Sequence, residues 1–272
     1  ANVQYLLEHG IRTGNGCLLI GGAGGDFPML SEAERKAVVT KAMQVVGSRA
    51  PVVIGAQDTD ERVTLELARL ADDVGAFAFQ VSAPYYYDPS DEDVLRWFRK
   101  VNGAVKKSGI MIYNTYWKGY QLPTAVLDQL MELDRVVSLK WSTAEGGLGF
   151  MKGVARYADR VAVIDNMFLW PLSGFITHLC TIWPEHELGI YAHTKAGEFK
   201  KALDIMKTQN WAWIEQRGKM AGKTSGESPI VRAALELCGR PGGPCRPPSR
   251  ELTREERAEL REVLKKIGAP VV

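Results

Sequence analysis

The segment Val136-Val137-Ser138-Leu139-Lys140-Trp141-Ser142 is a short apolar run with a lysine near its end. Strands that are buried on both faces of a parallel sheet are typically continuous in Val, Ile and Leu, and this composition predicts such a strand. Burial of a lysine lowers its pKa and favours the neutral amine, a nucleophile that condenses with ketones to form a Schiff base. The alternative is a strand-end lysine that points into solvent or pairs with an acidic residue.

The rest of the chain alternates short apolar runs with amphipathic segments. The predicted strands are 17–20, 51–55, 76–82, 110–113, 136–142, 161–165 and 174–177. Strict β-then-α alternation without a dinucleotide-binding fingerprint favours a (β/α)8 TIM barrel over a doubly wound sheet. We therefore predict an α/β barrel over residues 1–194 and a C-terminal helical extension over residues 195–272, packed on the barrel. Because residues 1–9 read as a helix, we expect the first barrel strand before Ala1, so that strand 1 is missing from the chain as given.

The composition is ordinary for a soluble globular protein. The chain has 272 residues, of which 46% are hydrophobic and 24% charged, and its net charge of +2 includes no dense basic block. We therefore expect no nucleic acid partner. No apolar run approaches the roughly 18–20 residues that span a bilayer, and no signal peptide opens the chain, so we expect no membrane partner. The four cysteines are sparse and unpatterned, which is typical of cytoplasmic proteins.

The carboxyl ends of barrel strands are where functional groups are expected. Side-chain alternation places Tyr113 and Lys140 on one face of neighbouring strands, which lie about 4.8 Å apart. A phenol beside an amine can relay protons while a carbinolamine forms and breaks. The glycine-rich turn 22–26 exposes backbone N–H groups that suit a carboxylate or phosphate. Taken alone, a tight strand–helix turn is the favoured interpretation. Asp26 is interpreted as a turn residue.

Two histidine signals carry less weight. His186-Glu187-Leu188 is similar to the start of a zinc-protease helix, but His193 follows at i+7 instead of i+4, so no metal site is predicted. His178 lies near a predicted strand end and could line a pocket, but a structural histidine is the favoured interpretation.

Several short motifs occur in a characteristic order. They are Gly22-Ala23-Gly24-Gly25-Asp26, Ala83-Pro84-Tyr85-Tyr86-Tyr87, Tyr113-Asn114 and Leu139-Lys140. Together they resemble the dihydrodipicolinate synthase / N-acetylneuraminate lyase family of class I aldolases and dehydratases. The resemblance extends over nearly the whole chain.

The resemblance implies a role for each matched residue. Lys140 would be the Schiff-base lysine and Tyr113 the proton-shuttling tyrosine. The backbone of Ala23 and Gly24 would hold the carboxylate of a 2-oxo acid, and the carbonyl of Ile176 would line the pocket. No metal or organic cofactor is implied.

The resemblance also implies an assembly. The family suggests a homotetramer built from two tight dimers. Tyr86 would reach across the subunit interface of the tight dimer.

The chain departs from the family members that make dihydrodipicolinate. Those members have a pair of threonines, part of their proton relay, where this chain has Ala23 and Gly24. Their arginine that grips the aldehyde substrate's carboxylate is absent, and Lys118 could replace its charge but not its bidentate fork. Trp141 stands where an acidic residue is common. We expect specificity to lie at Trp117 and Trp141. Two orientations stay open for these rings: they line an aromatic pocket, or they pack outward.

These observations predict a lyase that acts on pyruvate or a larger 2-oxo acid through a Schiff base at Lys140. The reaction is an aldol cleavage or condensation, or a dehydration, with a 2-keto-3-deoxy sugar acid as one candidate substrate. One alternative is dihydrodipicolinate synthase itself, which the missing threonines disfavour. An alternative of another class is a non-catalytic protein that binds a 2-oxo acid as a sensor.

Overall fold

A computed structural model describes residues 1–10, 16–166 and 174–272, which divide into two compact units. The sheet unit comprises residues 17–22 and 30–176, and the helical unit comprises residues 1–16, 23–29 and 177–272. Within the described residues, no helix is both long and apolar enough to cross a membrane.

Within the described residues, the sheet unit contains six parallel strands that pair in chain order, an arrangement that follows from the alternation of strands and helices in the sequence. The strands are β1 (Leu18–Ile20), β2 (Val52–Gly55), β3 (Ala78–Ser82), β4 (Gly109–Tyr113), β5 (Val136–Trp141) and β6 (Ala162–Asp165). The helices between them are α2 (Glu32–Val46), α3 (Glu61–Asp73), α4 (Asp91–Gly103), α5 (Thr124–Met131) and α6 (Gly146–Tyr157); α1 (Asn2–His9) belongs to the helical unit.

Helix starts and strand burial follow local sequence rules. Ser31 caps α2 in a capping box with Glu34. Ser90 caps α4 in the same way. Alternate strand residues such as Phe79 and Leu139 have no exposed surface. Full burial of side chains of this kind stabilises the fold by about 1.5–3 kcal/mol each.

The predicted seventh strand is wrong. Residues 174–177 form no strand, and Phe175 makes only an isolated parallel bridge to Asp165. The amide of Asp165 donates to the carbonyl of Gly174 at 2.9 Å, and the amide of Ile176 donates to the carbonyl of Asp165 at 3.1 Å. The apolar run there is only two residues long, too short to continue a ladder. Across the described residues the sheet has six strands, so barrel closure stays a prediction and the strand expected before Ala1 is not confirmed.

The helical unit is built around one apolar cluster. Its helices are α1 (Asn2–His9), α7 (Leu179–Ile182), α8 (Pro184–Lys195), α9 (Phe199–Ile205), α10 (Trp211–Ala221), α11 (Ser228–Leu237) and α12 (Arg254–Ile267). The cluster includes Leu179, Trp213, Met220, Ile230 and Leu264. Helices after residue 195 were predicted and are confirmed.

Helices α7 and α8 were not predicted from the sequence. The buried face of α8 includes the polar residues His186 and Glu187. The order of polar and apolar residues in the sequence therefore does not indicate which face of this helix packs inward. Asn210 bonds to both residues: its side-chain nitrogen donates to Oε1 of Glu187 at 2.7 Å, and its oxygen lies 2.9 Å from Nε2 of His186. Asn210 ends a π-helical turn, Met206–Asn210, between α9 and α10. Burial raises the pKa of Glu187 to about 7.

Candidate active site

Lys140 lies near the carboxyl end of β5 with its side chain buried. Only 6% of the residue is exposed, which excludes the solvent-facing alternative. No ion pair joins Nζ to a carboxylate in the part of the chain that the structure describes. Burial without a compensating charge lowers the lysine pKa to about 7. A substantial fraction of the side chain is therefore the neutral, nucleophilic amine near neutral pH.

Tyr113 is the direct strand partner of Lys140. The two residues pair between β4 and β5, and paired residues point to the same face of a sheet. Nζ of Lys140 lies 3.8 Å from the centroid of the Tyr113 ring, so the predicted proximity is confirmed. Nζ of Lys140 contacts the face of the Tyr113 ring. The Tyr113 hydroxyl accepts a hydrogen bond from Nδ2 of Asn166 at 3.4 Å. Burial raises the pKa of Tyr113 to about 12, so the phenol is a proton donor at neutral pH.

Asn114 fixes the backbone around these two residues. Its amide donates to the carbonyl of Lys140 at 3.1 Å, and its side-chain nitrogen donates to the carbonyl of Ser142 at 2.7 Å. Its side-chain oxygen accepts from the amide of Leu122 at 3.1 Å. Asn114 therefore joins the end of β5 to the loop after β4, which explains the Tyr-Asn pair physically.

The two tryptophans near the lysine have different environments. Trp117 is 46% exposed, and its ring meets the Tyr113 ring edge-on, with centroids 5.9 Å apart. Trp141 follows Lys140 directly and therefore points to the opposite face. Its Nε1 donates to the carbonyl of Gly149 at 2.9 Å, and a Cβ at Gly153 would lie 2.3 Å from that nitrogen. Trp141 thus packs outward on α6, and only Trp117 borders the Lys140–Tyr113 pair.

Gln80 is a polar residue of this face that sequence reasoning missed. Gln80 pairs with Met111, and Met111 pairs with Ser138. Met111 and Ser138 lie two residues before Tyr113 and Lys140 on the same strands, closer to the strand starts. Gln80 has no exposed surface, and neither its oxygen nor its nitrogen has a hydrogen-bond partner among the described residues. An unsatisfied buried amide costs about 1–3 kcal/mol. The only signal in the sequence is an amide within an otherwise apolar strand.

The predicted carboxylate-binding turn belongs to the helical unit. Residues Ala23–Gly25 form an exposed 3-10 turn. Asp26 is buried in the left-handed region at φ 58°, and its carboxylate accepts from Arg232 at 2.5 and 3.2 Å. Asp26 therefore has a structural role in an ion pair with Arg232, as its interpretation as a turn residue predicts.

The remaining predicted residues are on the surface or half-buried. Tyr86 is 82% exposed and has φ 84°, an uncommon conformation for an aromatic residue. Lys118 ends the exposed turn Tyr116–Lys118 and makes no ion pair with any described residue. Ile176 is half-buried next to Asp165. These placements leave the predicted roles of the three residues as predictions.

Histidines and acidic residues form no metal cluster in the described ranges. No group of three or more His, Cys, Asp or Glu side chains within 1–10, 16–166 and 174–272 is arranged to hold a metal ion. His186 bonds to Asn210, while His193 bonds to Glu198 at 2.7 Å, so the two histidines have separate partners.

The chain matches a family of known proteins over nearly its whole length. The Dihydrodipicolinate synthetase family matches residues 1–267. The chain belongs to the dihydrodipicolinate synthetase family. Members of the dihydrodipicolinate synthetase family are class I lyases that act on pyruvate through a Schiff base, so the predicted enzyme class is confirmed.

Individual members of the dihydrodipicolinate synthetase family match along most of their length. The chain is 31% identical over 280 residues to 4-hydroxy-tetrahydrodipicolinate synthase 2 of Streptomyces coelicolor, covering 95% of this chain and 86% of that protein. A crystal structure of a dihydrodipicolinate synthase is 25% identical, with a TM-score of 0.83, covering 98% of this chain and 92% of the other. YagE, a family member from E. coli K12 solved with pyruvate, shares the fold at 24% identity, with a TM-score of 0.86 and coverage of 98% and 92%.

Proposed function

We propose that the protein is a lyase that forms a Schiff base between Lys140 and pyruvate or a larger 2-oxo acid. The observation that carries this proposal is a buried lysine, 6% exposed and without a charged partner among the described residues, packed on a buried tyrosine. Its pKa of about 7 supports attack by the neutral amine at physiological pH.

The chemistry follows from these two side chains. The Lys140 amine attacks the keto carbon, a C–N bond forms, and the carbonyl oxygen becomes the hydroxyl of a carbinolamine. That hydroxyl takes a proton and leaves as water, which gives an iminium ion. Tyr113 is the proton donor for this step, because its phenol is protonated at neutral pH and is oriented by Asn166. The iminium then accepts an electron pair to form an enamine, so a C–C bond is broken or formed, or water is eliminated.

The family resemblance supports the other roles. The backbone of Ala23 and Gly24 holds the substrate carboxylate, and the Ile176 carbonyl lines the pocket. Lys118 supplies a positive charge for the second substrate or distal group. The active form is a homotetramer of two tight dimers, with Tyr86 at the contact within each dimer. Tyr86 is exposed and has a strained backbone conformation, which supports a role outside its own chain.

The reaction is that of a 2-oxo acid lyase or dehydratase outside lysine biosynthesis, with a 2-keto-3-deoxy sugar acid as the leading candidate substrate. The missing threonines and arginine and the aromatic edge of Trp117 support this choice. Dihydrodipicolinate synthase is the second candidate, favoured by the 31% identity to 4-hydroxy-tetrahydrodipicolinate synthase 2. Turnover with pyruvate and aspartate semialdehyde would favour that second candidate over the first.

Borohydride reduction tests the proposal directly. The protein is incubated with a panel of 2-oxo acids, reduced, digested and analysed by peptide mass. We expect one adduct, on Lys140, with pyruvate and with the natural substrate. Lys152→Ala, which removes an exposed lysine of α6, should keep the adduct, and Lys140→Ala should lose it. A chain that forms no adduct with any panel member is not a Schiff-base enzyme.

The same variants separate an enzyme from a sensor. A non-catalytic sensor would bind 2-oxo acid in both the parent and Lys140→Ala without turnover in either. An enzyme would turn the substrate over as the parent protein and would not do so as Lys140→Ala.

A further inference from the structure

Asn114 continues the hydrogen bonding between β4 and β5 after β4 has ended. Strand β4 ends at Tyr113, and the chain turns away into the 3-10 turn Tyr116–Lys118. The backbone amide of Asn114 still donates to the carbonyl of Lys140, at 3.1 Å. Bonds between parallel strands are evenly spaced, so the carbonyl of Ser142 is the next acceptor along β5. The side-chain nitrogen of Asn114 donates to that carbonyl at 2.7 Å, in the place that a backbone amide of a longer β4 would take.

The oxygen of the same side chain closes the loop that follows β4. It accepts from the amide of Leu122 at 3.1 Å, so residues 115–121 leave and return at Asn114. Asn114 has no exposed surface and Leu122 is 2% exposed, so solvent does not compete for this bond. The loop carries Trp117, whose ring borders Tyr113. One side chain therefore holds both the strand end that bears the lysine and the loop that bears the tryptophan.

A second asparagine contacts β5 from its other edge. Asn166 directly follows β6, and its amide donates to the carbonyl of Trp141 at 3.4 Å. Its side chain donates to the Tyr113 hydroxyl, also at 3.4 Å. Both bonds are longer than the usual range of about 2.7–3.2 Å, whereas the bonds of Asn114 lie within it. Asn114 is therefore the firmer of the two supports of this strand end.

The support matters because the Lys140 amine depends on a dry environment. Nζ rests on the face of the Tyr113 ring, and burial is what lowers the pKa of the lysine. A strand end that frays would admit water and favour the charged ammonium form again. Asn114 prevents fraying with a neutral group, so it adds no charge that would shift the lysine in either direction.

We propose that Asn114 is a positioning residue for the Schiff-base lysine: it fixes the backbone of Lys140 and Ser142 and ties the loop 115–121 to the same strand end. This role rests on the proposed function. Asn114 follows Tyr113 directly and points to the opposite face of the sheet, so it acts through the backbone and not on the substrate.

Asn114→Ala tests the role through the pH profile of borohydride trapping with pyruvate. The variant loses both side-chain bonds and leaves room for water at the strand end. We expect the midpoint of the profile to rise, and trapping at pH 7 to fall about fivefold, the effect of a rise of about one unit in the pKa of Lys140. Trapping by parent and variant should converge at about pH 9, where both amines are mostly neutral.

Asn102→Ala is the matched control, because Asn102 holds the opposite end of the same strand. Its side-chain oxygen accepts from the amide of Arg135 at 3.2 Å, and its side-chain nitrogen donates to Asp134 at 2.8 Å, just before β5 begins. The control therefore also loses two side-chain bonds that support β5. We expect it to unfold at lower temperature and to keep the midpoint of the parent.

A second variant and a second ketone complete the test. Asn114→Ser keeps a small hydrogen-bonding group at the site, so it is the variant to measure if Asn114→Ala does not fold, and its midpoint should rise less. Trapping of 2-oxobutyrate relative to pyruvate reports on the loop. This ratio should rise in the Asn114 variants, because a released loop leaves more room beside Tyr113, and it should stay unchanged in Asn102→Ala.

An unchanged midpoint in the folded Asn114 variants would overturn the positioning of the lysine, and an unchanged ratio would overturn the tie to the loop. A midpoint that rises equally in Asn102→Ala would also overturn the role, since any loosening of β5 would then suffice. The parent adduct on Lys140 would still support the Schiff-base function in each case. A parent without any adduct would instead overturn the proposed function itself.

Discussion

Lys140 and Tyr113 are paired on neighbouring strands, and the lysine nitrogen lies 3.8 Å from the centre of the tyrosine ring. The ring removes water from the amine without neutralising a charge, so the pKa of Lys140 falls to about 7. The same burial raises the pKa of Tyr113 to about 12. One environment therefore provides a free amine and a protonated phenol together, which is the combination that carbinolamine dehydration needs.

Adduct formation on Lys140 should depend on pH. Deprotonation of Lys140 produces the nucleophile, so the rate of borohydride-trapped adduct formation with pyruvate should rise with pH through about 7 and level off above pH 8. The measurement is the initial trapping rate between pH 5.5 and 9, corrected for borohydride decay. A rate that keeps rising towards pH 10 would mean that Lys140 titrates as an ordinary exposed lysine.

Tyr113→Phe isolates the hydroxyl from the ring. The variant keeps the aromatic face on which Lys140 rests, so the fold and the lowered lysine pKa should be retained. Turnover should fall about 10²–10⁴-fold, the usual contribution of a positioned acid–base group. The measurement is steady-state turnover of the substrate found by trapping. Tyr87→Phe, at an exposed ring, is the matched control and should change turnover little. Unchanged turnover in Tyr113→Phe would remove the phenol from the mechanism.

The sequence predicted the Lys140–Tyr113 pair because strand alternation has a period of two and leaves no freedom once the strands are assigned. The same rule, applied one residue further, places Trp141 on the opposite face. The buried amide of Gln80 and the bonds of Asn210 to His186 and Glu187 could not be predicted, because they depend on which elements pack together. The strand predicted at 174–177 failed for a related reason, since two apolar residues do not determine whether a ladder continues.

The two tryptophans should respond differently to substitution. Trp117→Ala removes an exposed ring beside Tyr113 and should change the relative trapping efficiency of different 2-oxo acids, with little loss of stability. Trp141→Phe removes the hydrogen bond to Gly149 and should lower the free energy of unfolding by about 1 kcal/mol or more, with substrate preference unchanged. The measurements are the trapping panel and urea unfolding. Altered preference in Trp141→Phe alone would contradict the outward packing.

Gln80→Met should stabilise the protein. Methionine has nearly the shape of glutamine, and its substitution removes a buried amide that has no partner among the described residues. We expect the free energy of unfolding to rise by about 1–2 kcal/mol in urea titrations, because the desolvation penalty is lifted. Gln129→Met, at an exposed position of α5, is the matched control. A clear loss of stability would instead show that the amide of Gln80 has a hydrogen-bond partner in solution.

Glu187 should make the stability of the helical unit depend on pH. Its pKa is about 7 in the folded protein against an ordinary value of 4.5. Between these values the folded state holds a proton that the unfolded state has released, so stability falls as pH rises from about 4.5 to 7. The full cost above pH 7 is about 3 kcal/mol, at about 1.4 kcal/mol per pKa unit.

Glu187→Gln should remove this dependence, since its side-chain oxygen still accepts the bond from Asn210. Urea unfolding at pH 8 should show a gain of up to about 3 kcal/mol, and the gain should be small at pH 5, where the carboxyl of the parent is already protonated when folded. Glu215→Gln on the exposed face of α10 should show neither effect. A gain of equal size at both pH values would mean that the carboxyl group is neutral throughout, and that its cost is one of packing.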